Sequence, residues 1–141
     1  MLLLMLVILL KPLNVQKKVN GRKIQTEIGN RISKGFPTLI PTGIRCKIED
    51  GWVLNIYPRS GLGFKYGLHL LNTVGIIDSD YYNSDNEGHI MAKLNHTEGD
   101  YLLSLEQGDR FAQGVFSPFG ITYDDNTNNV RNGGFGSTGA N

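Results

Sequence analysis

The sequence predicts an all-β protein of the sandwich or barrel kind. Three observations carry that expectation. Apolar residues recur at every second position in several short stretches. Clusters of Gly, Pro, Asn and Asp interrupt those stretches at short spacing. Helical periodicity is poor along the chain. A length of 141 residues suits one domain, with enough chain for a real core and little enough that oligomerisation would help.

The opening "MLLLMLVILL", followed by Lys11-Pro12, is too short to span a bilayer, which takes roughly 20 residues. It lacks the basic leader and the small-residue cleavage site of a signal peptide. It reads as a buried strand. In "KKVNGRK" the pair Asn20-Gly21 is a strong hairpin signal. In "RKIQTEI", Ile24, Thr26 and Ile28 alternate with polar residues. "GIRCKIED" sets Ile44, Cys46 and Ile48 on one face and Arg45, Lys47 and Glu49 on the other. "GWVLNIYP" aligns Trp52, Leu54 and Ile56. "YPRSGLGFKYG" reads as an irregular loop or tight turn, given Pro58 and its glycines. Val74–Ile77 looks like a strand, and "GHIMAKL" sets Ile90, Ala92 and Leu94 together. "DYLLSLEQGDRFAQGVFSPF" reads as two strands joined near Gln107-Gly108. "YDDNTNNVRN" is apolar-poor and reads as a linker. The organisation expected is a β-domain over residues 1–123, then a linker and glycine-rich arm over 124–141.

A formal net charge of +1 gives no global field to draw nucleic acid or an anionic membrane. The one cysteine, Cys46, excludes an intrachain disulfide and suits a reducing, cytoplasmic setting. Its apolar neighbours suit a small core residue better than a nucleophile.

Four stretches carry chemistry. In "PRSGLG", Arg59 and Ser60 sit where exposed backbone can meet an anion, although taken alone a tight turn explains them better. In "GIIDSDYY", a strand delivers Asp78, Asp80, Tyr81 and Tyr82. Paired carboxylates beside an aromatic suit a metal or a polarised water, and a polar hairpin turn is the plainer alternative. In "GDRFAQ", Asp109 adjoins Arg110, a pairing common at strand starts for structural reasons, and Gln113 follows. The tail "VRNGGFGSTGAN" has too little apolar surface for a core. Fraying is the default for such an end. Its lone cation, lone ring and Gly-Ser-Thr run also suit an arm that orders over phosphate.

Taken in order, "PRSGLG", "GIIDSDYY…GHI", "GDRFAQ" and "RNGGFGSTG" resemble the trimeric dUTPase (deoxyuridine 5'-triphosphate nucleotidohydrolase) family, from about Thr38 to the C-terminus, with "IPTGIRCKI" similar to the strand before the second motif. The resemblance implies a jelly-roll-like β-fold and a homotrimer with active sites shared between subunits. It implies Mg²⁺-dependent hydrolysis of dUTP to dUMP and pyrophosphate, which limits uracil in DNA and supplies dUMP. Mg²⁺ would be held through substrate phosphates and water, with no direct protein ligand. It implies that Asp78 orients and deprotonates the attacking water and that Tyr81 lies under the deoxyribose. Asn72 and the hairpin backbone at Gly75 would read uracil. Arg59, Ser60, Gly61 and Gln113 would face the phosphates. In the arm, Arg131 would meet the terminal phosphate and Phe135 would stack on uracil. Gly136, Ser137 and Thr138 would close over the phosphate chain.

The family's Ala-Gly-x-Asp-Leu motif is not recognisable in residues 1–35. That departure leaves an alternative expectation, a dUTPase-like nucleotide- or protein-binding regulator with weak turnover. The related dCTP deaminase branch fits less well, because it is not expected to carry a "GGFGSTG" arm. The run "NSDNE" after Tyr82 lengthens the usual hairpin turn and is expected to alter only its tip.

Overall fold

The computed structural model describes residues 5–9, 16–19, 22–25, 30–106 and 108–124. Its strands are β1 (Met5–Leu9), β2 (Gln16–Val19), β3 (Arg22–Gln25), β4 (Asn30–Ser33), β5 (Thr38–Ile44), β6 (Trp52–Pro58), β7 (His69–Leu70), β8 (Gly75–Ile77), β9 (Ile90–Asn95), β10 (Leu102–Leu105) and β11 (Arg110–Pro118). One short helix, α1 (Ser60–Tyr66), and a 3₁₀ turn over Ser79–Asn83 complete the elements. The all-β expectation holds. No helix among the described residues is long and apolar enough to cross a membrane.

The pairings are antiparallel. They build a sheet in the order β1-β11-β6-β8, a second in the order β5-β9-β7, and the pairs β10-β4 and β2-β3. These layers share one core. Leu54, Ile56, Phe111 and Ala112 come from the first sheet, and Ile40, Leu70, Ile90, Ala92 and Leu94 from the second. Ile32, Leu103 and Leu105 come from the β10-β4 pair. Period-two patterning explains the arrangement: along β9, Ile90, Ala92 and Leu94 are buried while Lys93 between them is exposed. His96 is wholly buried beyond the end of β9, with its ring nitrogens 2.9 Å from the Ile32 carbonyl and 3.2 Å from that of Glu98.

Within the apolar start, Met5–Leu9 form a strand. Met5 stands opposite Val115 and Leu6 opposite Gly114, with an irregularity between Ile8 and Leu9. β2 and β3 pair, with Val19 opposite Arg22, while Asn20-Gly21 lies outside the described residues. Thr26 and Ile28 lie outside the described residues. The two strands on either side of residue 107 are also present. They do not pair with each other, because β10 joins β4 while β11 joins β1 and β6.

Two expectations need correction. "GIRCKIED" is strand only in its first two residues, because β5 ends at Ile44. Its register jumps from Pro41 opposite Met91 to Ile44 opposite Ile90. The excess residues are Thr42, whose buried hydroxyl donates to the Ile90 carbonyl at 2.7 Å, and Gly43, at φ 68°. Pro41 has no N–H to give the ladder, and the bulge turns the chain away from the sheet. Alternation survives as burial rather than pairing: Ile48 is buried, while Arg45, Lys47 and Glu49 are exposed. In β6, Leu54 and Ile56 face the core as expected, but Trp52 is 43% exposed and Val53 is buried in its place.

Phe111 is wholly buried within the shared core. Phe111→Ala is expected to destabilise the fold by about 3–5 kcal/mol. Urea unfolding at fixed protein concentration checks this, since an unchanged midpoint would mean that β11 contributes little to the core.

Candidate active site

β6 ends at Pro58 and passes directly into the first group of candidate residues. The sequence suggested a loop at "PRSGLGFKYG"; the structure has helix α1 there. Arg59 caps it in an extended conformation, and its carbonyl accepts from the N–H groups of Leu62 and Gly63 at 3.1 and 2.9 Å. Gly67, left-handed at φ 60°, closes the other end, donating to the Gly63 carbonyl at 2.9 Å. Gly61 and Gly63 disguised the helix, because glycine is a poor helix former. The glycine at the helix end was the signal available.

Beside α1 lies a cavity of about 510 Å³, lined by Arg59, Gly61, Leu62, Leu105, Gly108, Asp109 and Arg110. Arg59 is tied in by its own N–H, which donates to the Phe111 carbonyl at 3.1 Å. The Asp109 carboxylate accepts the Glu106 N–H at 2.8 Å, closing the turn before β11. This structural role is a turn-closing bond to backbone, a different one from the Asp109-Arg110 pairing weighed from the sequence. Two guanidinium groups and backbone at a helix start suit an anionic ligand. Ser60 is exposed. Gln113 is half-buried on β11, between Tyr57 of β6 and Val7 of β1.

The second group surrounds β8. The chain reverses after β7 through Thr73, at φ 69°, with the Val74 N–H donating to the Asn72 carbonyl at 2.8 Å. Gly75 pairs with Ile56, and a Cβ on Gly75 would lie only 3.1 Å from that of Ile56. A cavity of about 500 Å³ opens here, lined by Asn72, Gly75 and Ile77 together with Leu39, Ile56, Leu70, Leu71, Met91 and Lys93. It is mostly apolar with few polar groups, as small-molecule sites commonly are. Leu39, Met91 and Lys93 escaped the sequence reading. Their signal was weak: they fall on the outward positions of β5 and β9, which alternation alone assigns to solvent.

Asp78 follows β8 directly. It is partly exposed and heads the 3₁₀ turn in an extended conformation (φ −102°, ψ 175°). Tyr81 does not line the cavity; it is 3% exposed and belongs to the core. Its hydroxyl donates to the His89 carbonyl at 2.8 Å. The lengthened turn does more than alter a tip, because Asn86 and Ser84 both reach back to Tyr81. Outside the turn, Arg45 stacks on the Tyr82 ring at 3.7 Å and donates to the Tyr82 carbonyl at 2.7 Å. Arg131, Phe135, Gly136, Ser137 and Thr138 lie outside the described residues.

The two cavities share no lining residue. Cys46 packs against the core, and burial pushes its thiol pKa up, which disfavours the thiolate. Among the described residues, no group of three His, Cys, Asp or Glu side chains is placed to hold a metal.

A β-domain with an apolar cavity beside β8, a carboxylate directly after that strand and a separate arginine-lined cavity has features that suit a nucleotide-binding enzyme. The comparisons narrow the class. The dUTPase family model matches residues 24–139. The deoxyuridine 5'-triphosphate nucleotidohydrolase of Lactococcus lactis is 47% identical over 105 residues, 72% of this chain and 69% of that protein. The one from Tolumonas auensis is 41% identical over 114 residues, 77% of this chain and 72% of that protein. The crystal structure of a dUTPase from Streptococcus mutans superposes with a TM-score of 0.60 at 45% identity, covering 66% of this chain and 73% of that one. This chain belongs to the dUTPase family, and its fold is the family's β-rich jelly roll.

Gly88 closes the turn behind Tyr81 at φ 69°, where a Cβ would sit 2.7 Å from the Tyr82 Cα and 2.8 Å from its carbonyl oxygen. Gly88→Ala is expected to destabilise the protein by about 1–3 kcal/mol through backbone strain. Thermal unfolding monitored by circular dichroism reads that cost, and an unshifted transition would refute the need for glycine.

Proposed function

We propose that this chain hydrolyses dUTP to dUMP and pyrophosphate, with Asp78 as the base. The supporting observation is the placement of Asp78 directly after β8, whose Gly75 and Ile77 line the cavity with Asn72. Uracil enters that cavity, and the Asn72 amide and the backbone at Gly75 read its edge. A tight backbone wall excludes the thymine methyl sterically. Cytosine presents the wrong hydrogen-bond edge, which leaves buried donors or acceptors unpaired. Tyr81 backs the deoxyribose, and a 2'-hydroxyl has no room or partner there.

The triphosphate faces Arg59, Ser60, Gly61 and Gln113. Arg131, Phe135, Gly136, Ser137 and Thr138 complete the site as an arm that meets the terminal phosphate, stacks on uracil and covers the phosphate chain. Asp78 orients a water toward the α-phosphorus and takes its proton. The new P–O bond forms as the bond to pyrophosphate breaks, in line. A magnesium ion would be carried in by the substrate phosphates and water. When bound, it supplies charge neutralisation.

Separation of the two cavities favours a site assembled between subunits. One chain supplies the β8 cavity and its neighbour supplies Arg59, Ser60 and Gly61, within a homotrimer.

Asp78→Asn is expected to keep the fold and nucleotide binding while lowering kcat by about 10²–10⁴. Near-normal pyrophosphate release from the purified variant would remove Asp78 from the chemistry. Mixing Asp78→Asn subunits with Arg59→Ala subunits, after exchange, is expected to restore part of the turnover that each lacks alone. No restoration, with exchange confirmed by mass spectrometry, would mean that each chain carries its own complete site.

A further inference from the structure

We propose that Asn86, in the lengthened turn over residues 83–87, is a positioning residue that sets selection for deoxyribose by locking Tyr81. The inference rests on the reading of Tyr81 as the sugar-selecting ring. The Tyr81 hydroxyl donates to the His89 carbonyl at 2.8 Å and accepts from the Asn86 Nδ2 at 2.9 Å. That same amide nitrogen stands 3.3 Å from the His89 carbonyl. A carbonyl only accepts, so the amide must present its NH₂ to this pair and its oxygen to Ser84, whose hydroxyl lies 2.8 Å away. Ser84 is itself buried. Its Oγ lies 2.7 Å from the Tyr81 carbonyl and accepts the Gly88 N–H at 3.3 Å.

The Ser84 hydroxyl has one hydrogen and two acceptors beside it, the Asn86 Oδ1 and the Tyr81 carbonyl, so it links Asn86 back to the Tyr81 backbone only by sharing that hydrogen. The firm hold is at the phenol tip, which donates one bond and accepts another. A steric selector discriminates only while it refuses to yield, and pockets that merely crowd an added hydroxyl discriminate weakly. Two bonds on the tip prevent the tilt that would admit a 2'-hydroxyl.

The test compares kcat/KM for dUTP and for UTP in the full-length protein, in Asn86→Ala, Tyr81→Phe, their double variant and Tyr81→Leu, with Tm for each. Asn86→Ala is expected to narrow the dUTP preference about 3- to 10-fold, the scale of one lost hydrogen bond. Tyr81→Phe should narrow it at least as much, and adding Asn86→Ala to it should change nothing further. General loosening would lower Tm and both nucleotides' rates together without moving their ratio. A ratio unchanged in Asn86→Ala but narrowed in Tyr81→Leu overturns the positioning role and leaves Tyr81 as selector. Additive effects in the double variant also overturn it, since Asn86 would then act elsewhere. A ratio unchanged in Tyr81→Leu overturns the selector reading and this inference with it.

Discussion

The antiparallel ladder between β6 and β11 is the constraint on which the rest of the structure depends. It runs unbroken from Trp52 opposite Pro118 to Pro58 opposite Ala112. Its inner face is tight: a Cβ on Gly114 would come within 2.7 Å of Leu54 Cδ1, so the glycine lets Leu54 fill the core. Both halves of the candidate site hang from this ladder. β8 pairs with the middle of β6 and opens the β8 cavity at Gly75. The end of β6 passes into Arg59 and α1, while the start of β11 supplies Arg110 to the other cavity. Moving one strand by a single residue would turn every side chain to the other face and dismantle both cavities.

Local turn chemistry then does what long strands cannot. Thr42 and Gly43 bend β5 away from the sheet. The Gly43 N–H donates at 2.9 Å to Nε2 of His89, the residue whose carbonyl receives the Tyr81 hydroxyl. The bulge in one sheet and the turn behind Tyr81 are therefore joined through one histidine, by its ring on one side and its carbonyl on the other. Asn86 and Ser84 tighten the same turn from the other side. Rigid polar contacts around one aromatic ring are a natural way to hold a shape-based filter, since each neutral bond is weak but the set allows few alternative geometries.

The sequence by itself determined much of this protein. Period-two patterning established the all-β class, because alternation is a property of local chain geometry and survives any arrangement of strands. The core faces of β9 and of most of β6, and the strand that delivers Asp78, were legible for the same reason. The order and spacing of the motifs, "GIIDSDYY" above all, indicated the family. What only the tertiary structure decided depends on contacts distant in sequence. The pairing of β10 with β4 rather than with β11 is one case, and the loss of most of "GIRCKIED" from the ladder at the Thr42-Gly43 bulge is another. Helix α1 formed despite its glycines, because capping at Gly67 and the tether of Arg59 to Phe111 outweigh weak propensity. The partition of site residues between two cavities, and the reach of Asn86 back to Tyr81, were likewise invisible in the string. Both arise where the folded chain brings separated groups within a few ångströms, and no local rule of spacing encodes that distance.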